Sequence, residues 1–185
     1  MQGETSIKGD SIGIDNKGGN LTASGSVATA TMLKQSGRST KEAKDAKDDE
    51  ARKPSIATAK DLKYDDAERH LIYTGDAHMN GPNGDMTAVR IELFLKPSGD
   101  ELERAEAYEN LTLREQNRET KGAKLIYTTA DETYVITGAP VKVVDQCQRE
   151  TVGRTLTFNK GADTIVVDGN SQIRTQTKGG NGKCS

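Results

Sequence analysis

A pattern of fixed length recurs along this chain: a small residue, then x-x-apolar-x-apolar, six mostly polar residues, apolar-x-apolar, one further residue, and glycine. It reads GDSIGIDNKGGNLTASG over 9–25, AKDLKYDDAERHLIYTG over 59–75, GAKLIYTTADETYVITG over 122–138 and GRTLTFNKGADTIVVDG over 153–169. First and last residues stand 16 positions apart in all four. A fifth copy, AVRIELFLKPSGDELERAEAYE over 88–109, has five extra residues around Pro97, Ser98, Gly99 and Asp100, and Glu109 where the others have glycine. A spacing held this often marks an internal repeat, which decides the fold before any local propensity does.

Each unit reads as a β-hairpin. Side chains two apart on a strand share a face. The first strand of each unit therefore sends Ile12 and Ile14, Leu62 and Tyr64, Ile91 and Leu93, Leu125 and Tyr127, or Leu156 and Phe158 to one side. The second strand does the same with Leu71 and Tyr73, Tyr134 and Ile136, or Ile165 and Val167. The intervening DNKGGN, DDAERH, TTADET and NKGADT are rich in turn formers. DDAERHL and ELERAEAY contain good helix formers, but no helical apolar period persists there, whereas the period of two holds in every copy. The chain is expected to be all-β, antiparallel, with one buried and one wet face.

Only 32% of the residues are apolar and 4% aromatic, with no Trp, against roughly half apolar in a compact domain. Such a chain builds a thin, elongated β-structure whose neighbouring units cover each other, with part of it left out of the core. The part left out is SGRSTKEAKDAKDDEARKPS, 36–55, with six basic and five acidic residues and too little apolar surface to offset its ordering; a mobile loop is expected there, a short solvated helix being the other reading. Residues 3–177 are then one domain and 178–185 a mobile tail.

The 26 basic and 28 acidic residues leave a formal charge of −2, which gives no electrostatic footprint for nucleic acid. No apolar run approaches the roughly 18 residues of a spanning helix. MQGETSIKGD has no signal-peptide character, and since the repeats begin almost at once, a leader or anchor upstream of Met1 is expected.

Chemistry is sparse. His70 and His78 lie in no HxH, HExxH or Cys/His cluster, so no metal or other cofactor is expected. There is no G-x-S-x-G, and GGNGKCS lacks the phosphate-loop spacing. Asp61, Asp65 and Asp66, or Asp131 and Glu132, fall on turns or outward positions rather than as a repeated acid pair. No enzyme is indicated. Cys147 and Cys184 admit two readings. In an oxidising compartment a bridge would tie the tail to the loop before the last hairpin, worth about 3–4 kcal/mol; otherwise they are two thiols, and the spacing suits both.

AKDLKYDDAERHLIYTGDAHM, GAKLIYTTADETYVITGAPVKV and GRTLTFNKGADTIVVDGNSQI resemble the LptA/OstA family of periplasmic lipopolysaccharide-transport proteins, over essentially residues 3–175 apart from the charged insertion. The resemblance implies a β-jellyroll, two sheets folded in a V around an apolar groove. It also implies a periplasmic bridge that carries lipopolysaccharide between the inner and outer membranes, acyl chains in the groove, and joins end to end with other jellyroll proteins of the system or with its own copies. An LptA-like or LptC-like component is favoured over the N-terminal domain of the outer-membrane translocon. The alternative is a closed structural β-solenoid that polymerises without lipid. On either reading the inward set is Ile14, Leu62, Tyr64, Leu71, Tyr73, Ile91, Leu93, Leu125, Tyr127, Ile136, Leu156, Phe158 and Val167, the candidate groove lining. Arg90, Lys124 and Arg154 are read as a solvated strand face rather than a head-group site.

Overall fold

A computed structural model describes residues 5–32, 54–81, 84–115, 117–162, 164–169 and 174–178. Twelve strands follow in chain order: β1 Thr5–Lys8, β2 Ser11–Ile14, β3 Leu21–Thr31, β4 Ser55–Asp65, β5 His70–Gly81, β6 Gly84–Leu95, β7 Leu102–Glu115, β8 Arg118–Thr128, β9 Thr133–Asp145, β10 Glu150–Asn159, β11 Thr164–Asp168 and β12 Arg174–Lys178. There is no helix among the described residues. The strands make one antiparallel sheet, each paired to its sequence neighbour from β3 to β12, with β1 and β2 side by side on the free edge of β3. The charged stretch 36–53 and the tail 179–185 lie outside the described residues. Ser55 already belongs to β4, and β12 extends to Lys178, one residue beyond the expected domain end.

The strands are longer than the sequence units because each continues past the residue that closes its unit. At that point the register slips in every pair from β3·β4 to β9·β10, between Ser24 and Val27, Thr58 and Asp61, Thr74 and Ala77, Thr87 and Arg90, Tyr108 and Leu111, Lys121 and Lys124, and Gly153 and Thr155. A bulge bends its strand and tightens the twist. A row of bulges across neighbouring strands therefore creases the whole sheet. The two sheets that the resemblance implies are the two halves of this one sheet, here called the first wall (hairpin-turn side) and the second wall.

The repeat's terminal residues belong to the crease. Gly25 and Gly75 have φ of 75° and 83°, each followed by another left-handed residue, Ser26 and Asp76. Glycine takes that conformation without the Cβ clash that other residues meet. The small residue that opens a unit is needed for a different reason: at Gly122 a Cβ would stand 2.7 Å from Ile136 Cγ2. Ala59 and Ala88 hold the equivalent place, 6% and 5% exposed.

Glu109 adopts the same geometry without glycine, at φ 64° with Asn110 at 51°. Its side chain is exposed, so replacing it removes strain and no packing. Glu109→Gly is expected to raise unfolding stability by about 1 kcal/mol, the left-handed penalty less the added freedom of the unfolded chain, read as a higher urea midpoint at unchanged slope.

Candidate functional site

Cross-strand register lines up the inward residues in continuous rows. On the first wall, next to the crease, run Ala23, Leu62, Tyr73, Ile91, Ala107, Leu125, Ile136, Leu156 and Val167. Two residues further out run Leu21, Tyr64, Leu71, Leu93, Ala105, Tyr127, Tyr134, Phe158 and Ile165. Twelve of the thirteen candidate positions lie in these two rows and are buried. Ile14 is the exception. It is in register with Leu21, but among the described residues the four-residue strand β2 pairs only with β3, and Ile14 is 64% and Ile12 45% exposed.

The facing wall was not read from the sequence. Val27, Ala77, Leu111 and Val141 follow the crease on the second wall, and Ala57, Met86, Leu113 and Val143 form the next row, with buried Thr29 and Thr120 among them. Alternation in NLTLRE and PVKVVD was the available signal, though small residues and threonines weaken it on β3 to β5. The two walls touch. Apart from the partly buried Leu21 and Ile165 at the two ends of the outer row and Met79 on the second wall, the inward residues named here keep at most 8% of their surface, so side chains rather than water fill the space between the walls.

Polar contacts reach into this interior at definite places. The Tyr73 hydroxyl and Thr29 Oγ1 share a hydrogen bond across the walls, 2.9 Å apart, and Thr29 Oγ1 also lies within 3.5 Å of the Ala57 carbonyl. Burial pushes the Tyr73 phenol up, outweighing the opposing effect of Thr29. Tyr64 reaches the rim, donating to Asp66 at 2.9 Å; burial, then this bond, pushes its phenol up to about 12. Tyr127, Tyr134 and Phe158 stack in register, with centroids 4.4 Å and 5.9 Å apart. On the second-wall rim Arg118 pairs with Glu115 and lays its guanidinium 3.8 Å from the Phe158 ring centre.

The outward face of the first wall is a charged ladder. Glu92 and Glu106 face each other across β6 and β7, an unfavourable like-charge pair on its own. Arg90 lies 2.9 Å and His70 2.8 Å from Glu92; Arg104 stands 3.0 Å and Lys124 3.8 Å from Glu106. Arg90 and Lys124 also cover the Tyr108 ring, whose phenol is held up at about 12 by its bond to Glu106 and by burial. His70 stacks on Phe94 at 4.2 Å with its side chain 19% exposed, so it is a strand residue of this ladder rather than a turn histidine. His78, on the second wall's outer face, pairs with Asp85 at 2.5 Å. Burial opposes ionisation of Asp85, but the bonds from His78 and Asn80 with the charges of His78 and Arg114 hold its carboxyl below the usual range. Arg90 and Lys124 are thus committed to protein carboxylates. Cys147 is disulfide-bonded; Cys184 lies outside the described residues.

Residues 56–164, more than half of the chain, match the family model described as "LptA/(LptD N-terminal domain) LPS transport protein". No curated protein sequence matches the chain. Among solved structures, the chain is similar to LptH, the LptA homologous periplasmic component of the conserved lipopolysaccharide transport device from Pseudomonas aeruginosa. That pair is 14% identical with a TM-score of 0.48, over 95% of this chain and 94% of the other.

Proposed function

The chain belongs to the LptA/(LptD N-terminal domain) LPS transport protein family, and from that premise we propose that it is a non-enzymatic periplasmic carrier of lipopolysaccharide between the inner and outer membranes. The acyl chains travel between the two walls. The observation that carries this reading is the unbroken apolar lining, two inward rows of the first wall running from β3 to β11 in register. Each methylene moved from water into such a lining gains roughly 0.8 kcal/mol, so affinity needs no chemistry from the protein. The β1/β2 edge and β12 are the ends of the strand order, and their unpaired backbone groups suit end-to-end pairing with other jellyroll proteins of the system or with its own copies.

The filled interior favours a second reading, a structural β-protein that assembles by its edges and takes up no lipid. Size-exclusion chromatography of purified protein with and without lipopolysaccharide separates the two. The carrier reading predicts that lipopolysaccharide co-elutes with the protein. Concentration-dependent assembly with no lipid in the protein peak would leave the scaffold.

A further inference from the structure

An acyl chain can enter a filled interior only where the walls part, so the contacts that bridge the walls decide when it enters. Thr29 and Tyr73 bridge them deep inside at the β3–β5 end. Arg118 and Phe158 bridge them at the mouth. Arg118 stands on the second-wall rim, in register between Glu115 and Asp145. Phe158 belongs to the outer inward row of the first wall, beside Tyr134.

Three observations mark the mouth contact as one that yields. The Arg118 and Glu115 side chains are only 15% and 16% exposed, and an ion pair withdrawn from water adds little net stability because desolvation offsets its attraction. A guanidinium on a ring is a single contact of modest strength. Beneath it the Tyr134 hydroxyl is buried with no hydrogen-bond partner among the described residues, a cost of the closed arrangement that opening to water or to a ligand oxygen relieves.

We infer that Arg118 is a latch on the interior. Lying on Phe158 it holds the walls together in the empty protein. An entering acyl chain takes its place on the ring, and the guanidinium turns outward to water, still tethered to Glu115. This rests on the lipid-carrying reading above and adds its regulation: the latch sets the rate of loading.

Tyrosine emission reports opening, since the chain has no Trp and Tyr64, Tyr73, Tyr127 and Tyr134 all face inward and are buried. In lipid-free Arg118→Met, acrylamide should quench that emission more strongly than in the wild type. Stopped-flow uptake of cis-parinaric acid should be about tenfold faster, the factor expected when the closed state loses one partly desolvated cation–π contact. Arg118→Lys, which keeps the charge but not the planar stack, should fall between. If Arg118→Met does not fold, Phe158→Leu removes the contact from the other wall with the same expectation. Quenching equal to wild type, or raised quenching with unchanged uptake, overturns the latch. Raised quenching with no parinaric acid bound by any of the proteins overturns instead the carrier reading, and the loading role with it.

Discussion

Gly153→Val is expected to destabilise the protein by about 3 kcal/mol, at the upper end for overpacking a filled core. A Cβ on Gly153 would stand 2.5 Å from Val167 Cγ1 and 2.8 Å from the Asp168 carbonyl. Neither can retreat, because Val167 is buried in the inward row and Asp168 is paired in the β10·β11 ladder. Gly161→Ala is the control. Its Cβ would meet the end of the Glu132 side chain at 3.2 Å and Asn159 Oδ1 at an ordinary 3.6 Å, and a surface change of that kind stays within about 0.5 kcal/mol. Urea unfolding followed by circular dichroism measures both. Equal midpoints for the two variants would mean that the crease is not the tight fold described here.

Leu62→Ala and Lys63→Ala form the second test, on adjacent residues of one strand. Leu62 is 2% exposed, within the inward row, and losing its side chain leaves a cavity worth about 3 kcal/mol. Lys63 is exposed on the opposite face, and its truncation is expected to change stability by less than about 0.5 kcal/mol. The contrast checks the face assignment on which every statement about the interior depends. Similar losses at both positions would place the strand in another register.

The first wall was legible in the sequence because its apolar residues are large and alternate within a fixed spacing. Leu125 and Tyr127 alternate on one strand of a unit and Tyr134 and Ile136 on the other, and they sit together in the adjoining rows of β8 and β9. The second wall was hidden because a creased sheet leaves little room beside its fold. Ala57, Ala59, Ala77 and Ala88 fill that space, and alanine carries almost no strand signal. The closing glycine of each unit was legible as a marker but not as a bend, since glycine also ends ordinary hairpins. Glu109 makes the point from the other side: it bends without glycine. Ile14 departs from the inward set because alternation gives a residue's face and not what covers it, and among the described residues nothing covers the edge strand β2. Arg118 could not be found from sequence, as its partner Phe158 lies 40 residues away on the opposite wall.

The central claim, that the space between the walls carries acyl chains, is tested most directly by photo-crosslinking in cells. A photoreactive residue placed at Leu62 or Tyr127 faces the interior, and one at Lys63 faces outward. The account predicts lipopolysaccharide adducts from Leu62 and Tyr127 and none from Lys63. Adducts from Lys63 alone would contradict it.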